Sequence, residues 1–374
     1  MNNLNKLSED WKGINQIVLF GAGIVAKICS DLFEHVDVKI KYIVDKDKEK
    51  QGKTWNNYPI ISYEVAKNII KGEKIVIMTA HAAYNEISFF LTELGLEEYK
   101  DFCGIGQFVC EWFWIERKMN CLYHVDMTIT TRCTFNCRHC NMFIPYYEFK
   151  RDYSFDEIKR NVDLLFERVD YIVYFALLGG EPMLNPYLAE ILDYIGCTYS
   201  EKYGRLAFVV NGSIIPEIKI FDVMKKHDVH LLISDYTEFI PYKEKLNNLI
   251  KILKDKEILF DVRYTQNWTD FGFPKTPFQR TDEQIKQHLR CCHPEWNGLN
   301  DGKFYYCNVS WSAEKSGHFN LAPEDYIVLE DIDPLDRNEC RKIIDLSRGT
   351  SSFCKICGGC GSDNDKFVPV GEQL

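Results

Sequence analysis

Cys133, Cys137 and Cys140 stand in a C-x3-C-x2-C run, Cys133-Thr134-Phe135-Asn136-Cys137-Arg138-His139-Cys140, that puts three thiolate-forming side chains on one short loop. An iron–sulfur cube normally takes four cysteines, so three on one loop imply a fourth ligand elsewhere or an iron kept open for a small molecule. Zinc is the competing occupant, but it favours C-x2-C pairs with a second pair farther on, and a C-x3-C arm suits it poorly. The 15 cysteines of this chain point to metal or redox chemistry, because structural disulfides are disfavoured in reducing compartments. Seven of them (Cys291, Cys292, Cys307, Cys340, Cys354, Cys357 and Cys360) fall in the last quarter.

The elements around the loop must aim it. An apolar stretch at 122–129 reads as the strand that delivers it, and helical periodicity follows at 155–167. A strand at 171–177 runs into Leu178-Gly179-Gly180-Glu181-Pro182, ahead of a helix at 188–195. Further strands at 205–210 and 229–233 end at Asn211-Gly212-Ser213 and Ser234-Asp235, and 259–264 is expected as a sixth. Strands alternating with helices predict a parallel sheet, and sites in β/α barrels collect at the C-terminal strand ends.

The cysteine spacing, with Gly179-Gly180-Glu181-Pro182 about forty residues later, resembles the radical S-adenosylmethionine (SAM) superfamily. The resemblance implies that Cys133, Cys137 and Cys140 hold a [4Fe–4S] cluster whose open iron takes SAM. It further implies that Gly179, Gly180, Glu181 and Pro182 contact the aminopropyl end of SAM, and that Asn211 and Ser234 hold its ribose and carboxylate. Gly-Gly permits an edge where backbone groups, rather than a side chain, face a ligand. Glu181 either orders its loop, accepts from the SAM ammonium, or serves as a carboxylate at a helix N-terminus. Asp235, Arg263 and Tyr264 face either ligand or solvent and are the candidates for a base near the reacting carbon.

Toward the end, Cys292 and Cys307 form a C-x9-G-x4-C segment through Gly302, and Phe353-Cys354-Lys355-Ile356-Cys357-Gly358-Gly359-Cys360 follows. This pair of segments resembles the SPASM/twitch domains that hold auxiliary clusters, in the shortened one-cluster form. Cys292, Cys307, Cys354 and Cys357 are the implied ligands, with Cys291 an alternative to Cys292 and Cys360 to Cys354. A zinc ribbon is the competing structure. Cys360, Cys291 and Cys340 are the spare thiols that a radical epimerase would use as hydrogen-atom donors.

The N-terminal segment reads as half of a doubly wound domain: a strand at 16–20, the turn Gly21-Ala22-Gly23-Ile24-Val25-Ala26, a helix at 24–33, a strand at 41–45 and a third strand at 74–78. Gly21 allows the turn, Gly23 lets a phosphate approach the backbone, and Asp45 stands where an acid accepts a ribose hydroxyl. The segment resembles the Rossmann-like domains of nucleotide-sugar-modifying proteins. Aromatic residues between 103 and 118 suggest a helix packed between domains.

The whole reads as an α/β chain: a Rossmann-like domain at 1–115, a partial (β/α)6 radical SAM barrel at 116–275 and a twitch/SPASM-like iron–sulfur domain at 276–374. A net charge of −10 without long runs of like charge speaks against nucleic acid and anionic membranes as partners. No stretch approaches a membrane span and the first residues lack the pattern of a signal peptide, so a cytoplasmic location is expected. The resemblances imply a sugar or cyclitol substrate, free or nucleotide-linked, an external one-electron reductant such as flavodoxin or ferredoxin, and net alcohol oxidation. Radical epimerisation is the alternative, as is peptide maturation, whose enzymes often carry a winged-helix module.

Overall fold

Short apolar runs, buried over nearly all their length, make the central strands of the N-terminal unit. In the computed structural model, which describes residues 6–374 other than 30, 34, 35, 37, 80, 290, 291, 293–295 and 362, the chain divides into two units at Tyr123/His124. The first contains β1 (Gln16–Phe20), α1 (Ile24–Ile28), β2 (Lys39–Val44), β3 (Thr54–Trp55), β4 (Tyr58–Ile61), α2 (Tyr63–Ala66), β5 (Ile75–Ile77), α3 (His81–Glu93) and β6 (Phe102–Gly104). The sheet order is β3-β4-β2-β1-β5-β6. All neighbours are parallel except β3 and β4. The five parallel strands, counted along the chain, therefore run 3-2-1-4-5, a doubly wound order whose reversal lies between β1 and β5.

One expectation needs correction here. The strand at 75–77 is not the third, because the Asn56-Asn57 turn, with both residues at positive φ, folds β3 and β4 into a hairpin between β2 and α2. Beyond α4 (Ile105–Gln107) and a π-helical turn at Phe108–Trp112, α5 (Phe113–Arg117) completes a continuous run whose rings bury within the first unit. Phe108 stacks on Trp112 at 5.0 Å, and the Trp112 indole donates to the Trp11 carbonyl at 3.1 Å.

The second unit opens with β7 (Cys121–Thr130), α6 (Phe155–Phe166), β8 (Tyr171–Gly179), α7 (Leu188–Thr198), β9 (Tyr203–Val210), α8 (Ile218–Lys226), β10 (His230–Asp235), α9 (Lys243–Asp255) and β11 (Phe260–Tyr264). Ser154 and Glu157 form a capping box that starts α6, and Ile158, Val162, Leu165 and Phe166 then bury one stripe. After β12 (Trp268–Thr269) and α10 (Asp282–His288) come β13 (Asn297–Asn300), β14 (Lys303–Tyr305), α11 (Asn308–Lys315), β15 (Tyr326–Val328), α12 (Arg337–Ser347) and β16 (Phe367–Val368). One eight-stranded sheet has the order β11-β10-β9-β8-β7-β13-β14-β15.

This topology alters the expected barrel. Residues 260–264 make the fifth strand of the series from β7, and it lies at an edge. The strand parallel to the other side of β7 is β13. The cysteine-rich segment thus continues the same sheet beyond the expected boundary at 276. A buried amide chain joins them: Asn300 Oδ1 accepts from the Thr128 N–H at 3.1 Å, Asn300 donates to Asn308 Oδ1 at 2.9 Å, and Asn308 reaches Thr128 Oγ1 at 3.4 Å. Asp301 and Gly302, both at positive φ, make the β13–β14 turn.

Candidate active site

β7 hands directly into the cysteine loop, and Asp152 fixes the exit. Its carboxylate accepts from Thr130 Oγ1 and from the Arg132 guanidinium, both at 2.6 Å. Cys140 N–H then donates to the Cys137 carbonyl at 3.1 Å and Phe143 N–H to the Cys140 carbonyl at 2.9 Å, which curls the loop. Cys137 is buried, and Cys133 and Cys140 are partly so. Burial pushes the Cys133 thiol up to about 12, with the charges of Cys140 and Cys137 adding to the rise. It pushes Cys137 up to about 11 against the opposing N–H of Gln373, and raises Cys140 as well. Thiols that repel one another as thiolates and stay neutral by burial require a cation to ionise, which fits a cluster.

The Gly-Gly turn sits against this loop rather than facing outward. Gly180 N–H donates to the Thr130 carbonyl at 3.0 Å and Glu181 N–H to the Arg132 carbonyl at 2.7 Å. A Cβ on Gly179 would overlap the Thr130 carbonyl oxygen; one on Gly180 would overlap that of Arg132 and lie 2.9 Å from Cys133 Cβ. These glycines serve the approach of two protein backbones, so these two N–H groups are spent within the chain and not on SAM. Pro182 is buried and opens a short 3-10 turn behind them.

Glu181 likewise turns inward. Its carboxylate is fully buried and accepts the Asn211 N–H at 2.8 Å and the Met183 N–H at 3.2 Å. Burial nevertheless raises it to about 7. Of the roles expected for it, ordering the loop is the one its contacts serve. Asn211 is the cross-tie: its amide donates to Thr134 Oγ1 at 2.9 Å and lies 3.8 Å from Cys133 Sγ, while its Oδ1 accepts the Ser213 N–H at 2.9 Å.

Ser234 is half-buried at the end of β10, and Asp235 Oδ1 accepts the Thr237 N–H at 2.8 Å. Arg263 and Tyr264 stand opposite them in register but are exposed, because β11 is the sheet edge. Of the two environments expected for them, ligand or solvent, Arg263 and Tyr264 meet solvent, because an edge strand does not enclose its side chains. Tyr236 and Tyr242 were not anticipated. Tyr236 N–H donates to the Tyr242 hydroxyl at 2.9 Å, Tyr242 packs 5.2 Å from Phe135, and Tyr236 meets Trp268 edge-on at 5.3 Å. An aromatic wall thus stands beside the cysteine loop.

A second sulfur pocket lies in the same unit. Cys292, Cys307, Cys354, Cys357 and Cys360 line one cavity with His288, Tyr306 and Phe353. The hydrogen bonds from Cys360 and, after burial, from His288 drive Cys292 well below its ordinary value, whereas burial raises Cys307, Cys354 and Cys357. His288 is held in turn by Asp363 at 2.7 Å. Arg280 donates to the carbonyls of Cys354 and Gly358, at 3.3 and 3.0 Å. Gly359, at φ +68°, leaves room for His288 and Cys292, whose Sγ would lie 3.0 Å from a Cβ there.

Cys360 was expected either as an alternative ligand to Cys354 or as a spare thiol available to substrate. It lines this pocket with the other four cysteines and donates to Cys292. His288 was missed, although His288-x3-Cys292 is a helical i,i+4 spacing that sequence inspection finds. Cys291 lies outside the described residues. Five clustered thiols with a histidine are sulfur enough for a metal or cluster site.

In the first unit, Gly21 (φ +104°) sits against Met78 and Thr79, while the Cβ side of Gly23 is open. Asp45 closes onto the turn, accepting from Ala22 N–H at 2.8 Å and Lys50 at 3.2 Å. Against the upward push of burial, the N–H groups of Asp47 and Ala22 and the Lys50 ammonium hold Asp45 below its ordinary value. Its role as a ribose acceptor therefore competes with bonds already made. Elsewhere, Asp193, Cys197 and His227 bring ligand-type atoms within 4.8 Å of one another, but Lys226 already sits 2.7 Å from Asp193 and 3.4 Å from Cys197. Among the described residues, no helix is long and apolar enough to cross a membrane.

Two expected outcomes follow from the seam. Gly180→Ala should force the Arg132 carbonyl away and cost about 1–3 kcal/mol, read as a lower unfolding midpoint and as loss of iron bound by the Cys133–Cys140 loop. Glu181, raised in the fold to about 7 from 4.5, favours the folded state below pH 4.5 and loses that contribution as pH rises through about 7. Denaturant titrations should therefore show stability falling across that window in the parent and a flatter profile in Glu181→Gln.

Profile comparison matches the Radical SAM superfamily to residues 127–235 and the C2185-like, N-terminal family to residues 13–102. No curated protein matches the chain. Among solved structures, Streptococcus suis SuiB bound to precursor peptide SuiA is 14% identical over 44% of this chain and 35% of its own, with a TM-score of 0.31. Native anSMEcpe with bound AdoMet and Cp18Cys peptide is 15% identical over 38% of this chain and 44% of its own, with a TM-score of 0.30. BtrN in complex with AdoMet and 2-DOIA is 13% identical over 68% of this chain and 99% of its own, with a TM-score of 0.38. The chain thus spans less than half the length of the SuiB and anSMEcpe chains. The segment from Met127 to Asp235 is a radical SAM domain, and S-adenosylmethionine and a [4Fe–4S] cluster are its cofactors.

Proposed function

We propose that this protein oxidises an alcohol carbon of a sugar or cyclitol, free or nucleotide-linked, by radical SAM chemistry, with a low-potential one-electron donor as partner. The observation that carries the reading is the second sulfur pocket in the same unit as the SAM loop. When bound, SAM and its cluster supply a deoxyadenosyl radical that removes one hydrogen from the substrate, and a second cluster offers a place for the remaining electron.

The chain's own residues divide the work. Cys133, Cys137 and Cys140 present three ligands; Asn211 and Glu181 hold that loop to the neighbouring strand ends. Tyr236, Tyr242 and Phe135 exclude water beside it. Cys292, Cys307, Cys354 and Cys357 are the proposed auxiliary ligands, with Cys360 and His288 donating to Cys292.

Oxidation is favoured over epimerisation by where two of the three spare thiols lie, Cys291 being outside the described residues. Cys340 is buried in α12 with its sulfur 3.5 Å from the Asp333 carbonyl, and Cys360 faces the pocket. Neither is placed as a hydrogen-atom donor to a substrate face. A carbohydrate rather than a peptide is favoured by the first unit, which is a parallel doubly wound sheet and not a winged helix. There the open Cβ side of Gly23 supports an approaching phosphate.

Reconstituted protein given dithionite, SAM and a panel of sugars, cyclitols and nucleotide sugars in deuterated water should release deoxyadenosine and a product lighter by two hydrogens. A product heavier by one mass unit would establish inversion instead, and protein that binds zinc in place of iron and releases no deoxyadenosine overturns the reading. Independently, Gly23→Val should weaken nucleotide-sugar binding at least about tenfold, or about 1.4 kcal/mol, by calorimetry; equal binding by both proteins removes the nucleotide from the proposal.

A further inference from the structure

Residues 370–374 form a clasp across the cysteine loop that no feature of the barrel requires. Val370 is buried and Gly371, at φ +66°, turns against Ile240. From there the chain runs antiparallel to the loop, with a bridge between Cys137 and Gln373. Arg138 N–H donates to the Glu372 carbonyl at 2.7 Å and Leu374 N–H to the Asn136 carbonyl at 2.9 Å. The Glu372 carboxylate lies 3.1 Å from Arg138 Nε and 3.3 Å from His139 Nε2.

Gln373 is the centre of the clasp. Its Oε1 accepts the Asn136 N–H at 2.7 Å, and its Nε2 donates to the Gly371 carbonyl at 2.7 Å and to Cys137 Sγ at 3.2 Å. The two acceptors account for both amide hydrogens, and the accepted N–H fixes which way the amide points. An inverted amide would set Nε2 against the Asn136 N–H and an oxygen against sulfur, so the donor toward Cys137 is determined by the network.

We infer that Gln373 is a positioning residue for the SAM-binding cluster, whose N–H to the Cys137 sulfur raises the one-electron reduction potential of that cluster. The physical ground is charge. Adding one electron makes the cluster and its sulfurs more negative, no bond forms or breaks, and a donor on a ligand sulfur stabilises the reduced form more than the oxidised one. Burial of Cys137 strengthens the effect, because water does not compete for the sulfur. Cys133 takes N–H donors from within the barrel, Phe135 at 3.4 Å and the Asn211 amide at 3.8 Å. Cys137 draws its side-chain donor from the clasp.

The inference rests on the reading of Cys133, Cys137 and Cys140 as cluster ligands. Potentiometric titration of the reconstituted full chain, followed by the electron paramagnetic resonance signal that changes on adding SAM, tests it without turnover. Gln373→Leu keeps the shape and removes both the donor and the acceptor; Gln373→Glu keeps the acceptor for Asn136 and places oxygen against sulfur. The potential should fall in the order parent, Leu, Glu, with about a tenfold smaller reduced-to-oxidised ratio at fixed poise for Leu, which is 59 mV for one electron. An unshifted potential in an iron-replete Leu or Glu variant overturns the inference. Loss of iron from both variants also overturns it, making Gln373 a seat for the loop and not a modulator. If the parent itself holds no cluster at this loop, the ligand reading fails instead.

Discussion

Two backbone N–H groups, those of Gly180 and Glu181, donate to the carbonyls that flank the entry to the cysteine loop, and the site is organised by that seam. The distance between the strands there leaves no room for a Cβ on either glycine of the pair. Glu181 then reaches the next strand end through the Asn211 N–H, and Asn211 returns to the loop through Thr134. Three consecutive strand ends, those of β7, β8 and β9, are thereby tied into one closed circuit of hydrogen bonds. Glu181 and Asn211, the members that link the strands, are buried, so breaking the bond between them would leave an unpaired polar group behind, at a cost of about 1–3 kcal/mol.

The electrostatics of the two sulfur sites follow from the same economy of water. Thiols packed out of solvent and facing one another resist ionisation, and a metal-bound state supplies the positive charge that relieves the resistance. The second pocket differs in carrying its own donors: a histidine fixed by Asp363, a neighbouring thiol and a guanidinium over the loop carbonyls. Between the two sites lies an apolar layer. Phe143, just beyond the first loop, belongs to one buried cluster with Phe353 and Cys357 of the second.

Local spacing made the cysteine loop, the Gly-Gly-Glu-Pro turn and the alternation of strands and helices readable, because each is a contiguous pattern whose meaning does not depend on distant residues. The roles inside those patterns were less readable. Whether Gly180 faces a ligand or another strand depends on what lies against it, and Asp45 looked like a ribose acceptor until its carboxylate was seen on Ala22. Arg263 and Tyr264 were polar residues at a strand end, but the order of strands, which makes β11 an edge, is a non-local property. Likewise nothing in the run from 297 to 300 announces that it will pair beside β7. The unforeseen histidine was an exception: its helical spacing from Cys292 is plain in the sequence and was passed over beside a run of cysteines.

The clasp has a consequence for how the protein matures. Cys137 and Gln373 are 236 positions apart, and a growing chain adds about 5–20 residues per second, so about 12–47 s separate their synthesis. During that interval β8 to β11 are being made, and the loop has neither its antiparallel partner nor its Gln373 amide. Iron and sulfide delivered before Gln373 is made would meet thiols still open on one side; delivery afterwards meets a loop already gripped. The order of synthesis therefore sets a window in which Cys133, Cys137 and Cys140 exist without the strand that later covers them.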